Sequence, residues 1–213
     1  MIDIIIPTLN RANKIEPLLQ NLLDVTKVPF LVTFAMETGD ELSMQTRRRS
    51  HIWSNWEVGN FNSYTIAFNT AFWKTNHKYV FMGSDDIEFM PGWDKAAQVM
   101  EDDEKVHVVG MNSSGALDDR HHLQFLMRRS YINQHSLVEG LPNHVFYPYH
   151  HNFCDTELYY TALNRGVFKA CPEAVVLHHR PADDIDETYK KSSRTAELDR
   201  ATYNSRKHLF RGV

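Results

Sequence analysis

A chain of 213 residues, 42% hydrophobic and 12% aromatic, is long enough to bury one sizeable core, and its net charge of −4 excludes a generic nucleic-acid coat while leaving room for a local basic patch. Two cysteines, Cys154 and Cys171, exclude a disulfide framework and favour a reducing, cytoplasmic setting. No apolar run is long enough to span a bilayer, and residues 1–6 are too short and lack the basic flank of a signal segment, so the expectation is a soluble monomer with no membrane partner.

Residues 2–6 read as a strand buried on both faces, as in a parallel sheet, followed by a loop over residues 7–11. Ile15, Leu18, Leu19, Leu22 and Leu23 recur at helical spacing, with Pro17 expected in the first turn. Residues 30–36 read as a second strand ending in the polar turn Glu37-Thr38-Gly39-Asp40. Residues 40–49 fit a helix or a loop and end in Arg47-Arg48-Arg49, the densest positive run. Residues 51–53 suggest a short third strand, and Tyr64, Ala67, Phe68, Ala71 and Phe72 a second helical stripe. A buried strand at 79–82, a helix at 92–100 and a strand at 106–110 complete an alternation that predicts a βαβ sheet.

The second half is less regular. Residues 112–119 form a small-residue polar loop, 123–127 a candidate strand, and 131–151 an irregular segment suited to lining a pocket. A helix at 155–165 closes at Gly166, a short buried strand at 175–177 delivers His178 and His179, and the chain from 183 onward is polar and helix-prone.

Residues 79–93 carry the strongest chemical signal. After a buried strand and Gly83, three acidic residues fall within four positions: Asp85, Asp86 and Glu88. Carboxylates at the carboxyl end of a buried strand lie where open α/β sheets bind their ligands. They are hard donors suited to Mg²⁺ or Mn²⁺ and, through the ion, to a diphosphate. A solvated acidic turn is the bland alternative.

In this order the features resemble the family-two glycosyltransferases of the GT-A fold. Ile4-Ile5-Ile6-Pro7-Thr8-Leu9-Asn10-Arg11 is similar to that family's first strand and nucleotide-binding loop. Asn69 stands 17 positions before Asp86, the spacing of the family's helical asparagine from the last aspartate of its Asp-x-Asp metal motif. Phe153-Cys154-Asp155-Thr156-Glu157-Leu158 resembles its acidic motif before a late helix, and Val175-Val176-Leu177-His178 its strand ending in a metal-binding histidine. The resemblance covers residues 2–180 or so.

It implies a single α/β domain of GT-A, Rossmann-like type, with a mostly parallel central sheet flanked by helices. Residues 1–110 would be the nucleotide-sugar half, 111–182 the less regular acceptor and catalytic half, and 183–213 a helical C-terminal segment. Asp86 and His178 would hold Mn²⁺ or Mg²⁺. Pro7, Thr8, Asn10, Arg11, Glu37, Asn69, Ser84, Asp85 and Glu157 would contact a nucleotide-sugar donor, by expectation a UDP-sugar. Asp155 would be the general base of an inverting transfer. The chain departs from the family at three places: Ser84 stands where an aspartate is usual, Glu37 stands alone where paired aspartates contact the base, and Cys154 replaces a glutamate.

The chemistry explains these residue types. A departing diphosphate is stabilised by a divalent ion, an imidazole ligand shifts preference toward Mn²⁺, and the acceptor hydroxyl needs a carboxylate to take its proton. Arg180 or Arg128 would add positive charge. Several alternatives stay open. Asp155 also suits a helix N-cap, His178 a core position, and His179 the ligand role in another register. A nucleotidyltransferase would want a glycine in the loop at residues 7–14, which has none, and an inactive sugar- or nucleic-acid-binding domain is the third class. The compact form also resembles bacteriophage glycosyltransferases, some of which modify hydroxylated DNA bases. That implies a DNA acceptor, with Arg47–Arg49, Arg128, Arg129 and the basic C-terminal segment on phosphates and Trp53, Trp56, Tyr147 or Tyr149 stacking on a base; a saccharide acceptor is the alternative.

Overall fold

The computed structural model describes residues 1–113, 122–179 and 187–211. Strands β1 (Ile2–Thr8), β2 (Phe30–Glu37), β3 (Asn55–Gly59) and β4 (Tyr79–Met82) lie parallel in the order β3-β2-β1-β4. Ile2, Ile4 and Ile6 of β1 join one apolar cluster and Ile5 the other, so Ile4-Ile5-Ile6 reads as a continuous apolar run because both faces are covered. Helix α1 (Ala12–Val25) packs Ile15, Leu18, Leu19 and Leu22 on the Ile4 side, and α3 (Tyr64–Lys74) packs Ala67, Phe68, Ala71 and Phe72 on the Ile5 side. Each fully buried Leu or Phe contributes roughly 1.5–3 kcal/mol by leaving water.

Beyond β4 the sheet turns mixed. It continues through β7 (His122–Arg128), β6 (Val108–Asn112), β8 (Phe168–His178) and β5 (Ile87–Phe89). Four of the seven strand pairings are parallel; β4 with β7, β6 with β7 and β5 with β8 are antiparallel. Helices α2 (Glu41–Arg49), α4 (Lys95–Asp102), α5 (Arg129–His135), α6 (Cys154–Asn164) and α7 (Glu187–Phe210) complete the described elements. None of the described helices is long and apolar enough to cross a membrane.

Several elements differ from expectation. Pro17 lies inside α1, which starts at Ala12, rather than in its first turn. Residues 51–53 form no strand; the third strand begins at Asn55, where β2 offers its free edge. Asp40 makes 40–49 a helix: its side chain accepts from the Ser43 N–H at 3.1 Å. The short strand expected at 175–177 is the end of an 11-residue strand whose register against β6 jumps from Cys171 to Val175, around Pro172, which has no N–H to donate. Residues 129–135, within and beside the segment read as irregular, are helical.

Candidate active site

Chain order runs β1 to β2 to β3 on one side of β1 and then returns to β4 on its other side. The carboxyl ends of β1 and β4 therefore flank a topological switch point, where open sheets form a crevice. Here that crevice is a cavity of about 550 Å³. Its walls include Pro7, Thr8, Arg11, Glu37, Ser84, Asp85, Asp86, Asp155 and His178, so the structure brings together nine of the residues singled out from sequence. Asn10, Asn69 and Glu157 are not in that wall.

The acidic turn hangs from Gly83. A Cβ there would stand 2.9 Å from the Ile5 carbonyl oxygen and 2.9 Å from Ile6 Cγ1, so only glycine lets β4 close on β1 at this point. Thr8 Oγ1 donates to Asp85 Oδ2 at 2.7 Å, and Arg11 Nη1 meets Asp85 Oδ1 at 2.6 Å and Asp86 Oδ2 at 3.3 Å. Burial pushes the Asp85 carboxyl up to about 6, with Asp86 adding to the rise and Arg11 and Thr8 opposing it. Ser84 Oγ donates to Asp86 Oδ1 at 2.7 Å. The serine found in place of an aspartate thus orients its neighbour instead of adding charge.

Strand β5, invisible in the sequence, brings the histidine in. Its antiparallel register pairs Ile87 with His178, which sets the His178 Nε2 3.3 Å from Asp86 Oδ1. His179 turns outward to Glu88, 2.8 Å away. Asp86 and His178 offer one oxygen and one nitrogen converging on the cavity, while Asp85 is committed to Thr8 and Arg11. No three His, Cys, Asp or Glu side chains among the described residues form a closed metal set. The pair fits a divalent ion that takes its remaining ligands from water or a ligand's phosphate oxygens.

Glu37, at the end of β2, accepts from the Phe61 N–H at 3.1 Å and the Asn62 N–H at 2.5 Å, which fixes its carboxylate in the wall. Asp155 sits in the first turn of α6, where the N-cap is Phe153 at φ 68°. Asp155 is therefore not the cap; its Oδ1 accepts from the Thr156 N–H at 2.7 Å.

The wall residues not singled out from sequence come chiefly from two runs, 61–64 and 150–153, the second overlapping the segment read as pocket-lining. His151 stacks edge-on against Tyr64, ring centroids 5.5 Å apart. Burial lowers the His151 imidazole's pKa against the pull of Asp155 and Asp86, and burial raises the Tyr64 phenol well above its ordinary value. Both are neutral near pH 7. Tyr64 Oη donates to the Gly83 carbonyl at 2.9 Å, tying α3 to the acidic turn.

The segment leading to Asp155 is held by side chains. Asn69 Oδ1 accepts from the N–H groups of Val145 and Phe146 while its Nδ2 donates to the Phe146 carbonyl at 2.8 Å. Asp199 of α7 accepts from three consecutive N–H groups, His150 at 2.7 Å, His151 at 2.9 Å and Asn152 at 2.8 Å. Glu157, 1% exposed, receives Tyr149 Oη and Arg206 at 2.6 Å each. Asn69 and Glu157 thus brace the wall from behind. Asn10, at φ 56°, donates its N–H to Asp40 at 2.8 Å.

Other expected roles fail on position. Arg128 binds the Met100 and Val106 carbonyls near the opposite end of β4, and Arg129 is a buried partner of Asp3. Tyr149 is buried, Tyr147 faces Arg206 and Trp56 stacks on Phe34, whereas Trp53 is 75% exposed. Both cysteines are buried and free. Arg180 lies outside the described residues.

No protein-family model and no curated protein matches the sequence. Solved structures do resemble the fold. A mannosyltransferase from Pyrobaculum calidifontis in complex with GDP-Man and Mn²⁺ superposes over 96% of this chain at TM-score 0.67 and 16% identity. S. aureus TarS in complex with UDP-GlcNAc superposes over 86% at TM-score 0.64 and 13% identity. Glucosyl-3-phosphoglycerate synthase from Mycobacterium tuberculosis, in complex with Mn²⁺, UDP and glucosyl-3-phosphoglycerate, superposes over 92% at TM-score 0.64 and 10% identity. The chain spans 64%, 59% and 77% of those three chains respectively. At these identities the likeness is one of fold, and that fold is the GT-A α/β architecture expected from the sequence.

Proposed function

We propose that the protein is a glycosyltransferase that moves a sugar from a nucleotide diphosphate sugar, a UDP-sugar in the first instance, to an acceptor hydroxyl with inversion. The observation that carries this reading is that the Asp86 and His178 donor pair and Asp155 line the same cavity, at the strand-end switch point. Three neighbours that share the fold hold nucleotides or nucleotide sugars, two of them with Mn²⁺, which supports the donor class.

Asp86 and His178 would hold a divalent ion, which when bound neutralises charge on a departing diphosphate. The chain's own groups do the rest. Arg11 keeps two adjacent carboxylates together in a buried turn and offers positive charge beside the phosphates. Glu37 presents fixed acceptor oxygens to a base N–H. Asp155 takes the proton of the acceptor hydroxyl as it attacks. His151 and Tyr64, both neutral, shape the wall without adding charge. The acceptor is open between a saccharide and a hydroxylated DNA base.

The test is release of UDP from a panel of UDP-sugars, with and without Mn²⁺, followed by an acceptor panel that includes saccharides and hydroxymethylated DNA. Metal-dependent turnover that disappears in Asp86→Ala, in a protein that still melts like the wild type, is the expected result. Undiminished turnover in Asp86→Ala would remove Asp86 from the site, and no release from any nucleotide sugar would remove the function.

A further inference from the structure

A second concavity of about 510 Å³ lies away from the acidic cavity, between the start of β3, the last turn of α2 and the last turn of α3. Its volume is in the range of small-molecule sites. Three features stand together there. Trp53 is 75% exposed, the highest value among the exposed large hydrophobic side chains. Arg47 and Lys74 line the cavity and make no ion pair among the described residues. Thr33 is 2% exposed, and its hydroxyl has no hydrogen-bond partner among the described residues.

Each feature has an ordinary explanation alone. A single exposed aromatic is common, and basic residues in a helix's last turn offset its dipole. Together they exceed those explanations. Arg47 from the last turn of α2 and Lys74 from the last turn of α3 converge on one concavity whose lining holds a single carboxylate, Glu57. β3 is an edge strand, so the Trp53 ring is not required to complete the sheet beside it. A buried hydroxyl without a partner is costly unless something supplies one.

We propose that this concavity is a second site, for a nucleoside phosphate. The ring stacks on Trp53, Arg47 and Lys74 neutralise the phosphate, and Thr33 and Asn55 offer hydrogen bonds at the floor. Cations alone would suit inorganic phosphate, and an exposed ring alone would suit a neutral sugar; a ligand carrying a flat ring and an anion in one unit uses both. The unit can come from a free nucleotide or from a single-stranded nucleic acid.

Equilibrium dialysis with labelled UMP and AMP, and tryptophan fluorescence titrations with the same probes, test the proposal. The variants are Trp53→Ala, Trp53→Phe and Arg47→Ala/Lys74→Ala, all at exposed positions. One fewer bound nucleotide per chain is expected in the Trp53→Ala/Arg47→Ala/Lys74→Ala triple variant than in the wild type. Trp53→Ala alone weakens this site by roughly 5- to 150-fold, the scale of one base stacked on an aromatic. Trp53→Phe keeps most of the affinity and loses the part of the fluorescence change that Trp53 supplies, leaving any response of Trp56, which also lines the concavity. In a second arm, fluorescein-labelled oligothymidylates of increasing length are titrated at several salt concentrations. Affinity that grows with length, with a salt slope about 1.4 shallower in Arg47→Ala/Lys74→Ala, identifies a strand as the source; affinity independent of length identifies a free nucleotide. Equal stoichiometry in wild type and triple variant overturns the site. Full competition by inorganic phosphate with no effect of Trp53→Ala reduces it to an anion patch and overturns the nucleoside assignment. Asp86→Ala acts on the other cavity, so the loss of one bound nucleotide on adding Trp53→Ala/Arg47→Ala/Lys74→Ala is expected equally in an Asp86→Ala background, whatever that background does to the first cavity, and the two proposals fail separately.

Discussion

Asp155 occupies the first turn of a helix whose cap is Phe153, so its carboxylate is not needed to start α6. The substitution Asp155→Asn keeps the shape and removes the ability to accept a proton. Transfer is expected to fall by about 10²-fold or more while donor and metal binding and melting temperature change little, the scale for a positioned base. Single-turnover transfer alongside Mn²⁺ and donor titrations checks this; a rate near wild type would pass the role to another group in the wall. His178 gives a second residue-scale prediction. Because β5 pairs Ile87 with His178, the His178 ring stands 3.3 Å from the Asp86 carboxylate, while the His179 ring meets Glu88 at the surface. His178→Ala should weaken Mn²⁺ by an order of magnitude or more, on the scale of losing groups that hold a metal site. His179→Ala should leave Mn²⁺ affinity as it is. The reverse order in calorimetric titrations would shift the register by one residue.

At the scale of elements, the stretch from Val145 to Asn152 is neither strand nor helix, yet its backbone is held by side chains and neighbouring turns: Asn69 and Asp199 bind five N–H groups, Asn69 also donates to the Phe146 carbonyl, and Ser63, Thr65 and Tyr64 bind the Tyr149 and His150 carbonyls. Burial alone would raise the Asp199 carboxyl, but the N–H groups of His150, Asn152 and His151 outweigh it and hold its pKa below the usual range. A carboxylate lowered in the folded state stabilises above its unfolded pKa, about 3.9, and that stability is lost as pH falls through the folded value. Wild-type melting temperature should therefore drop as pH goes from 5 to below 4, and Asp199→Asn should start lower at neutral pH and lose part of that acid slope. Melts across this range decide it, since an unchanged slope would mean that Asp199 does not titrate with folding. This element also marks how far the sequence could be read. The βαβ alternation was legible because parallel strands are continuous apolar runs and helices keep their 3.6 period. Asp86 and His178 were legible because their residue types and order carry chemistry. Residues 145–152 were not, because the groups that fix them come from Asn69, 76 positions back, and Asp199, 49 positions ahead. β5 was hidden by its length of three residues, and the first half of β8 by Lys169, Pro172 and Glu173, which break the apolar run.

On the scale of the whole molecule, one buried polar cluster joins the first strand to the second half of the chain. Asp3, 0% exposed in β1, accepts from Arg129 Nη2 at 3.0 Å and from the His77 N–H at 2.8 Å. Arg129, at the start of α5, also donates to the Phe72 and His77 carbonyls and to Thr75 Oγ1. Burial pulls the guanidinium's pKa down and Asp3 opposes it. The end of α3, the turn before β4, β1 and α5 thus share one charge pair outside the acidic cavity, and its Thr75 partner also lines the second concavity. Breaking such a pair from one side leaves an uncompensated buried charge, which costs about 3–5 kcal/mol, while replacing both partners together costs much less. Asp3→Asn and Arg129→Met should each lower the melting temperature by about 6–20 °C, at 2–4 °C per kcal/mol for a chain of this size. The double variant should be more stable than the sum of the two losses requires, with an interaction term of about 1–3 kcal/mol in a double-mutant cycle. Urea midpoints for the four proteins measure it. Additive losses would mean that Asp3 and Arg129 are satisfied separately, Asp3 by His77 and Arg129 by the carbonyls of Phe72 and His77. The ion pair would then play no part in fastening α5 to β1.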